Sequence, residues 1–206
     1  LKRAWAQGDY DNFTVKLGKM ELTSGENYQA PGSLVLDDNF SGAEVSFGNL
    51  VKAKVQAGRL STSPQGTFSD TANYQGIGLQ YETEKLTAGA GYYRLNSGDL
   101  GSTYGVKAGK DKLNIWALNG AIRFDKNVAL TGAYADSSDI DRYKKSGQVS
   151  LEYKGADAAD KGSWGAYLSY RHLGDSAFLA TDDGVQRLTK GIELGTSYTL
   201  WNNVVL

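Results

Sequence analysis

The stretch Val51-Lys-Ala-Lys-Val-Gln-Ala-Gly58, "VKAKVQAG", alternates without a break. Val51, Ala53, Val55 and Ala57 fall on one parity; Lys52, Lys54, Gln56 and Gly58 fall on the other. A period of two is that of a β-strand, whose successive side chains point to opposite faces. One face of this strand is therefore apolar and the other carries ammonium groups. The same division recurs on both sides of it. Phe13, Val15 and Leu17 oppose Thr14, Lys16 and Gly18, and Ala43, Val45 and Phe47 oppose Gly42, Glu44 and Ser46. Ile77, Leu79 and Tyr81 oppose Gly76, Gly78, Gln80 and Glu82. Leu86, Ala88, Ala90 and Tyr92 oppose Thr87, Gly89, Gly91 and Tyr93. Trp164, Ala166, Leu168 and Tyr170 oppose Gly165, Tyr167, Ser169 and Arg171, and Ile192, Leu194, Thr196 and Tyr198 oppose Gly191, Glu193, Gly195 and Ser197.

Read this way the chain holds about twelve strands, the first and last incomplete. The connections alternate in length. Short ones fall near 8–12, 48–49, 83–85, 125–127 and 201–203, with a compact one at 154–163. Long ones fall near 20–38, 60–74, 95–112, 136–145 and 172–189. Pro31 and Pro64, the two prolines of the 206 residues, lie in long connections, where no ladder hydrogen bond is lost. The 26 glycines and 13 tyrosines fit long regular strands with adaptable turns. A net charge of −1 gives no general attraction to nucleic acid. With no cysteine there is neither a disulfide nor a thiolate metal site.

An up-and-down meander with short turns at one end and long loops at the other is the pattern of an outer-membrane β-barrel. In lipid every backbone N–H and C=O must be paired within the protein, so a sheet has to close. Its outer face meets hydrocarbon, and its inner face meets water. The sequence therefore predicts an all-β fold, a transmembrane antiparallel up-and-down β-barrel in the bacterial outer membrane. Val15, Val45, Val55, Leu79, Leu130, Leu168 and Leu194 are expected to face lipid. Aromatics at strand ends fit two headgroup levels. Phe13, Phe47, Tyr81, Phe124, Tyr153, Trp164 and Trp201 flank the short turns; Tyr92, Trp116, Tyr134 and Tyr170 lie toward the long loops. Residues 113–124 depart from the pattern, with apolar groups on both parities. An inner face packed on an infolded loop would explain them.

Charges on a lipid face cost about 2–4 kcal/mol each at the midplane, so their parity assigns them to water. The expected pore lining is Lys16, Glu44, Lys52, Lys54, Glu82, Tyr93, Arg123, Glu152, Tyr167, Arg171 and Glu193. By the same parity, arginine should be tolerated at Gln56 and not at Val55. Glycines of the lining parity (Gly18, Gly58, Gly76, Gly78, Gly89, Gly91, Gly191 and Gly195) would keep the bore open or admit a loop. The single histidine, His172, has no nucleophile motif around it, so no catalytic group, metal or cofactor is expected. Asp37-Asp38, Asp182-Asp183 and the Asp136/Asp139/Asp141 run could ligate Ca²⁺ or bridge to lipopolysaccharide. Solvated loop charge is the simpler account of them.

Gly18-Lys-Met-Glu21, Leu36-Asp-Asp-Asn-Phe-Ser-Gly-Ala-Glu-Val45 and Val55-Gln-Ala-Gly-Arg59 resemble the barrel part of porins from diderm Firmicutes. In that family an S-layer-homology domain precedes the barrel. The resemblance implies a general diffusion porin of about 16 strands, even in number as single-chain bacterial barrels are. It also implies a homotrimer, and a tether to peptidoglycan through a domain not present in these residues. The run Val204-Val-Leu206 after the Asn202-Asn203 turn reads as a strand cut short. Residues 1–206 are thus expected to be one β-barrel domain, an incomplete portion of a longer barrel; a complete 12-stranded barrel is the alternative. Passive diffusion of small hydrophilic solutes is the expected function. A substrate-specific channel and a structural anchor or adhesin are the competing readings.

Overall fold

Each alternating segment becomes a strand, and each strand pairs with its neighbours in the chain. The computed structural model describes residues 3–23, 34–63, 66–102, 105–179 and 187–206. The strands are β1 (Ala4–Asp9), β2 (Phe13–Thr23), β3 (Asp37–Phe47), β4 (Val51–Ser63), β5 (Gly66–Glu82) and β6 (Leu86–Asn96). They continue as β7 (Lys112–Arg123), β8 (Val128–Asp136), β9 (Lys145–Lys154), β10 (Trp164–Leu173), β11 (Thr189–Trp201) and β12 (Val204–Val205). One 3₁₀ turn, Leu100–Ser102, sits between β6 and β7. All twelve strands form a single antiparallel sheet in chain order. β1 and β12 are its two edges and are not paired with each other, so the sheet is not closed into a barrel.

The short turns follow from local chemistry. The Tyr10 amide donates to Phe13 O at 2.9 Å, and the Thr83 amide to Leu86 O at 2.8 Å. Asp125 Oδ1 accepts from the Asn127 and Val128 amides at 2.6 and 2.9 Å, an Asx arrangement that reverses the chain. Gly48 turns the chain at φ +100°, and a Cβ there would run into Val51 O. No other residue fits that place.

One predicted connection is a pair of strands. Residues 60–74 were expected as a long loop, yet β4 runs to Ser63 and β5 starts at Gly66, with Thr62 opposite Thr67. The segment's three threonines, with Phe68 and Tyr74, suit a pleated ladder. Pro64 and Gln65, between the two strands, lie outside the described residues.

The sheet curls. Leu36, beside the start of β3, bridges in parallel to Leu179, which lies beyond the end of β10, and the Leu179 amide donates to Val35 O at 2.9 Å. In a flat sheet β3 and β10 would stand about 33 Å apart, at roughly 4.8 Å per strand. The six residues from Leu173 to Leu179 span at most about 20 Å. Only a curled sheet brings the two loops together. Inside the curl, at the long-loop end, lies the core. Met20, Leu22, Phe40, Leu60, Tyr74, Leu95, Leu113, Ile115 and Leu173 from the strands pack with Leu34, Val35, Leu36, Leu100, Val106, Ile140, Phe178 and Leu179 from the loops. Leu113 and Ile115 are fully buried there, which accounts for the two-sided apolar pattern of β7.

Candidate pore lining

The ladder register sorts the side chains onto two faces. On the open face, Val15, Val45, Val55, Ile77, Tyr92 and Trp116 form one cross-strand row. Leu86, Ile122, Leu130, Leu151, Leu168 and Leu194 form another. Val15 and Val45 are half-buried and the others are exposed; Leu168 shows 50% of its surface and Leu194 shows 74%. From Val51 to Ala57, Leu86 to Tyr92, Trp116 to Ile122, Trp164 to Tyr170 and Ile192 to Tyr198, the open face carries no charge. Aromatic pairs bound it, Trp116 with Tyr134 at 5.4 Å toward the long loops and Tyr153 with Trp164 at 5.0 Å toward the short turns.

All eleven residues expected to line a pore occupy the other, covered face. Lys16, Glu44, Gln56, Gly76, Tyr93 and Ile115 form one row. Lys52 begins a row that reaches Arg171 through Gln80, Gly89, Asn119, Ala133 and Gln148. Glu82 begins one that reaches Glu193 through Thr87, Ala121, Thr131, Ser150 and Ser169. Arg123, Ala129, Glu152 and Tyr167 form a further row, and Lys54 faces Ser46 and Gly78.

They are not equally accessible. Lys52 and Glu82 are exposed, while Lys16, Lys54, Arg123, Glu152, Tyr167 and Glu193 are partly covered. Glu44, Tyr93 and Arg171 are buried. Glu44 is held on two sides: Lys16 Nζ lies 3.5 Å away, and Gln56 Nε2 donates to Glu44 Oε2 at 2.7 Å, with Gln56 itself fixed by the Tyr74 hydroxyl, which donates to its Oε1 at 2.9 Å. Lys16 also stands 5.3 Å over the Trp5 ring. Arg171 Nη1 meets Glu193 Oε2 at 2.8 Å, and Tyr167 OH donates to the same carboxylate. These three buried residues brace the wall rather than meet solvent.

Several glycines of this face are beds for side chains. Tyr74 OH lies over Gly76, Tyr93 OH over Gly91, and the Tyr167 ring over Gly195. At Gly78 a Cβ would meet nothing nearer than Ala90 O at 4.0 Å. There a cavity of about 260 Å³ opens, walled by Lys16, Lys52, Lys54 and Glu44 and capped by Leu34 and Val35. A second cavity, of about 880 Å³, lies at the short-turn end beside Arg123 and Glu152.

His172 is exposed on the open face of β10. Ser176 Oγ is committed to Ser146 Oγ at 2.7 Å and to Ala135 O at 3.3 Å. Asp139 Oδ2 accepts from the Asn114 amide and side chain at 2.9 and 2.7 Å, tying its loop to β7, and Asp136 Oδ1 accepts from the Ser137 amide at 2.7 Å, holding the start of the same loop. Among the described residues no group of three or more acidic or imidazole side chains is placed to hold a metal. Asp182 and Asp183 lie outside the described residues.

Sequence reasoning anticipated an infolded loop against residues 113–124 but did not identify the residues of the apolar loop cluster inside the curl. Its signal was present as a change of parity. Val51 to Ala57 are odd, but Leu60 is even; Ala43 to Phe47 are odd, but Phe40 is even. No known family matches the chain, and no curated protein matches it.

Proposed function

We propose that the chain forms the wall of an outer-membrane porin that lets small hydrophilic solutes and ions diffuse through a water-filled interior. The uncharged, aromatic-bounded open face set against a charged covered face carries this reading. A soluble protein rarely exposes an apolar patch beyond roughly 300–600 Å². An apolar band running round a twelve-stranded sheet suits hydrocarbon instead. Each of the five uncharged stretches is seven residues long, and the residues at the headgroup levels bring each toward the roughly nine to eleven that cross a bilayer at a tilt. Both sheet edges must be paired in lipid, and the further strands that the resemblance implies would pair them. A homotrimer, contact with lipopolysaccharide and a peptidoglycan tether rest on the resemblance alone.

The loop cluster favours a second reading. It fills the curl at the long-loop end, which suits a narrow, substrate-specific channel better than a wide one. Planar-bilayer recording of the full-length protein separates the readings. Large stepwise conductances, with liposome uptake of uncharged sugars, support the general porin. Small conductances that a solute blocks support the selective channel. Inserted protein that passes no current overturns both and favours an anchor.

A further inference from the structure

Toward the long loops the open face changes character. Four residues along each strand from the row of Val15, Val45, Val55, Ile77, Tyr92 and Trp116, another row crosses β2 to β7. It runs Lys19, Ser41, Arg59, Asn73, Asn96, Lys112. Cations, a hydroxyl and amides make it up, with no carboxylate among them. Lys19, Arg59 and Lys112 are exposed, and none has an ion-pair partner among the described residues. On the covered face, by contrast, Lys16 and Arg171 are each held against a carboxylate. Arg94 adds a further charge two residues below Asn96, its Nε buried without a hydrogen-bond partner. Between Arg59, Asn73 and Asn96 the face is hollowed into an open groove, and there Asn96 Oδ1 is likewise without a partner. Asp70 and Asp111 stand on the same groove. The Asp70 carboxylate is engaged by backbone, accepting from the Thr71 amide at 2.8 Å and the Gly98 amide at 3.3 Å. Glu21, the next open-face residue of β2, is paired with Arg3 at 3.1 Å. The patch is therefore positive. At the short-turn end the same strands carry Phe47, Val51, Tyr81 and Leu86 to within a residue of their turns.

From this row we infer that the long-loop rim of the open face docks the phosphorylated disaccharide headgroup of a glycolipid. Arg59 and Lys112 stand three strands apart, roughly 14 Å at about 4.8 Å per strand, with Asn73 and Asn96 between them. Cations so spaced take one phosphate each through charge-assisted hydrogen bonds. The amides between them donate to and accept from the hydroxyls of two sugar rings. A phosphoglyceride headgroup brings one phosphate and leaves the amides and the second cation unused. The level suits a headgroup as well. Tyr92 and Trp116 lie four residues nearer the middle of their strands, in the place of an interfacial aromatic belt, so the row stands outside the hydrocarbon, where a charge is tolerated. The inference rests on the reading of the open face as the lipid face, and adds which lipid that face meets and at which end.

The test titrates lipids into the full-length protein in uncharged detergent micelles and reads bound lipid by native mass spectrometry. The probes are disaccharide glycolipids of identical acyl chains carrying two, one or no phosphates, and phosphatidylglycerol. The diphosphorylated glycolipid should bind at least about tenfold more tightly than the phosphate-free one, with the monophosphorylated form between them. It should also bind more tightly than phosphatidylglycerol. Arg59→Gln with Lys112→Gln should weaken its binding by about tenfold or more. Lys126→Gln with Lys161→Gln removes the same charge from the short-turn end and should leave it unchanged. All four side chains are exposed, and heat-modified mobility on a gel checks that each variant is folded. Phosphatidylglycerol binding as tightly as the diphosphorylated glycolipid would overturn the headgroup assignment. Equal losses in the two double variants would reduce the effect to net charge and overturn the row. Quenching of tryptophan fluorescence by brominated acyl chains in the same micelles keeps the two readings apart. Quenching without phosphate preference removes the row and leaves the lipid face; absence of quenching removes the lipid face and the row with it.

Discussion

Val55 and Gln56 are neighbours in the chain and stand in opposite environments. Val55 is exposed on the uncharged face, and Gln56 is buried in hydrogen bonds to Glu44 and Tyr74. Val55→Arg should cost about 2–4 kcal/mol of folding into bilayers, the midplane cost of a cation on a lipid face. Lys52→Gln, one ladder step away on the covered face, should fold as the parent does in the same urea titration. Equal losses at both would refute the face assignment. Alternation alone places arginine safely at Gln56, and the structure corrects this. A guanidinium can still donate to Glu44 but offers no oxygen to accept the buried Tyr74 hydroxyl, so Gln56→Arg should also fail. A cross-strand partner depends on register, and register is not visible in one strand's pattern. Asp175 tells a similar story in the loops. Burial raises its carboxyl above the usual aspartate range, against the opposing pull of the paired Arg187 guanidinium. The folded state then holds the proton more tightly than the unfolded one. Its contribution is full below the ordinary aspartate value near 3.8 and is lost as pH rises toward the raised value. Hydrogen-exchange protection of 174–179 should therefore fall across that window in the parent and stay level in Asp175→Asn. Protection that rises with pH there would contradict the burial account.

At the scale of the element, each long strand has two halves with opposite rules. In β4 the apolar residues sit on the open face from Val51 to Ala57, and then Arg59 takes that face while Leu60 turns inward. β2 does the same, with Leu17 outward, then Lys19 and Glu21 outward and Met20 and Leu22 buried. The inversion has a direct cause in the proposed setting. Where a strand leaves the bilayer its outer face meets water, and the interior becomes the place for apolar groups. The strands and turns were largely legible because period two and turn residues are local signals. The inversion was equally legible and was passed over as the onset of loops, most clearly at 60–74, where the ladder continues. The loop cluster was not legible, since nothing in Leu34 or Phe178 tells which distant strand it will meet. Phe178→Ala should cost about 3–5 kcal/mol at that buried site, confined to the loops. Protease should then cut within 174–179 in protein whose strand protection and heat-modified mobility are unchanged. Resistance equal to the parent's would mean that the cluster does not hold the loops.

Across the whole molecule, the near balance of charge read along the chain becomes a separation in space. Lys16 pairs with Glu44 on β2–β3, Arg171 pairs with Glu193 on β10–β11, and Arg123 shares the short-turn cavity with Glu152. Lys52 and Lys54 line the β4 side of the interior beside Lys16 and Glu44. A sum over the sequence hides this, because the curl of the sheet decides which charges share one interior space. Replacing both lysines by glutamate removes two positive charges and adds two negative ones, a change of four units on one wall. Ion preference across the proposed pore should move toward cations, read as a shift of reversal potential in a salt gradient. The effect depends on fields that reach across the opening. With a Debye length near 10 Å at 0.1 M and 3 Å at 1 M, it should be large in dilute salt and mostly gone in concentrated salt. Lys52 is exposed and Lys54 lines a cavity, so the variant should still fold; its heat-modified mobility verifies this before any recording. An unchanged reversal potential at low salt in folded variant would mean that ions do not pass the β4 wall. A shift of equal size at both salt concentrations would mean that the lysines act by reshaping the opening and not by their charge.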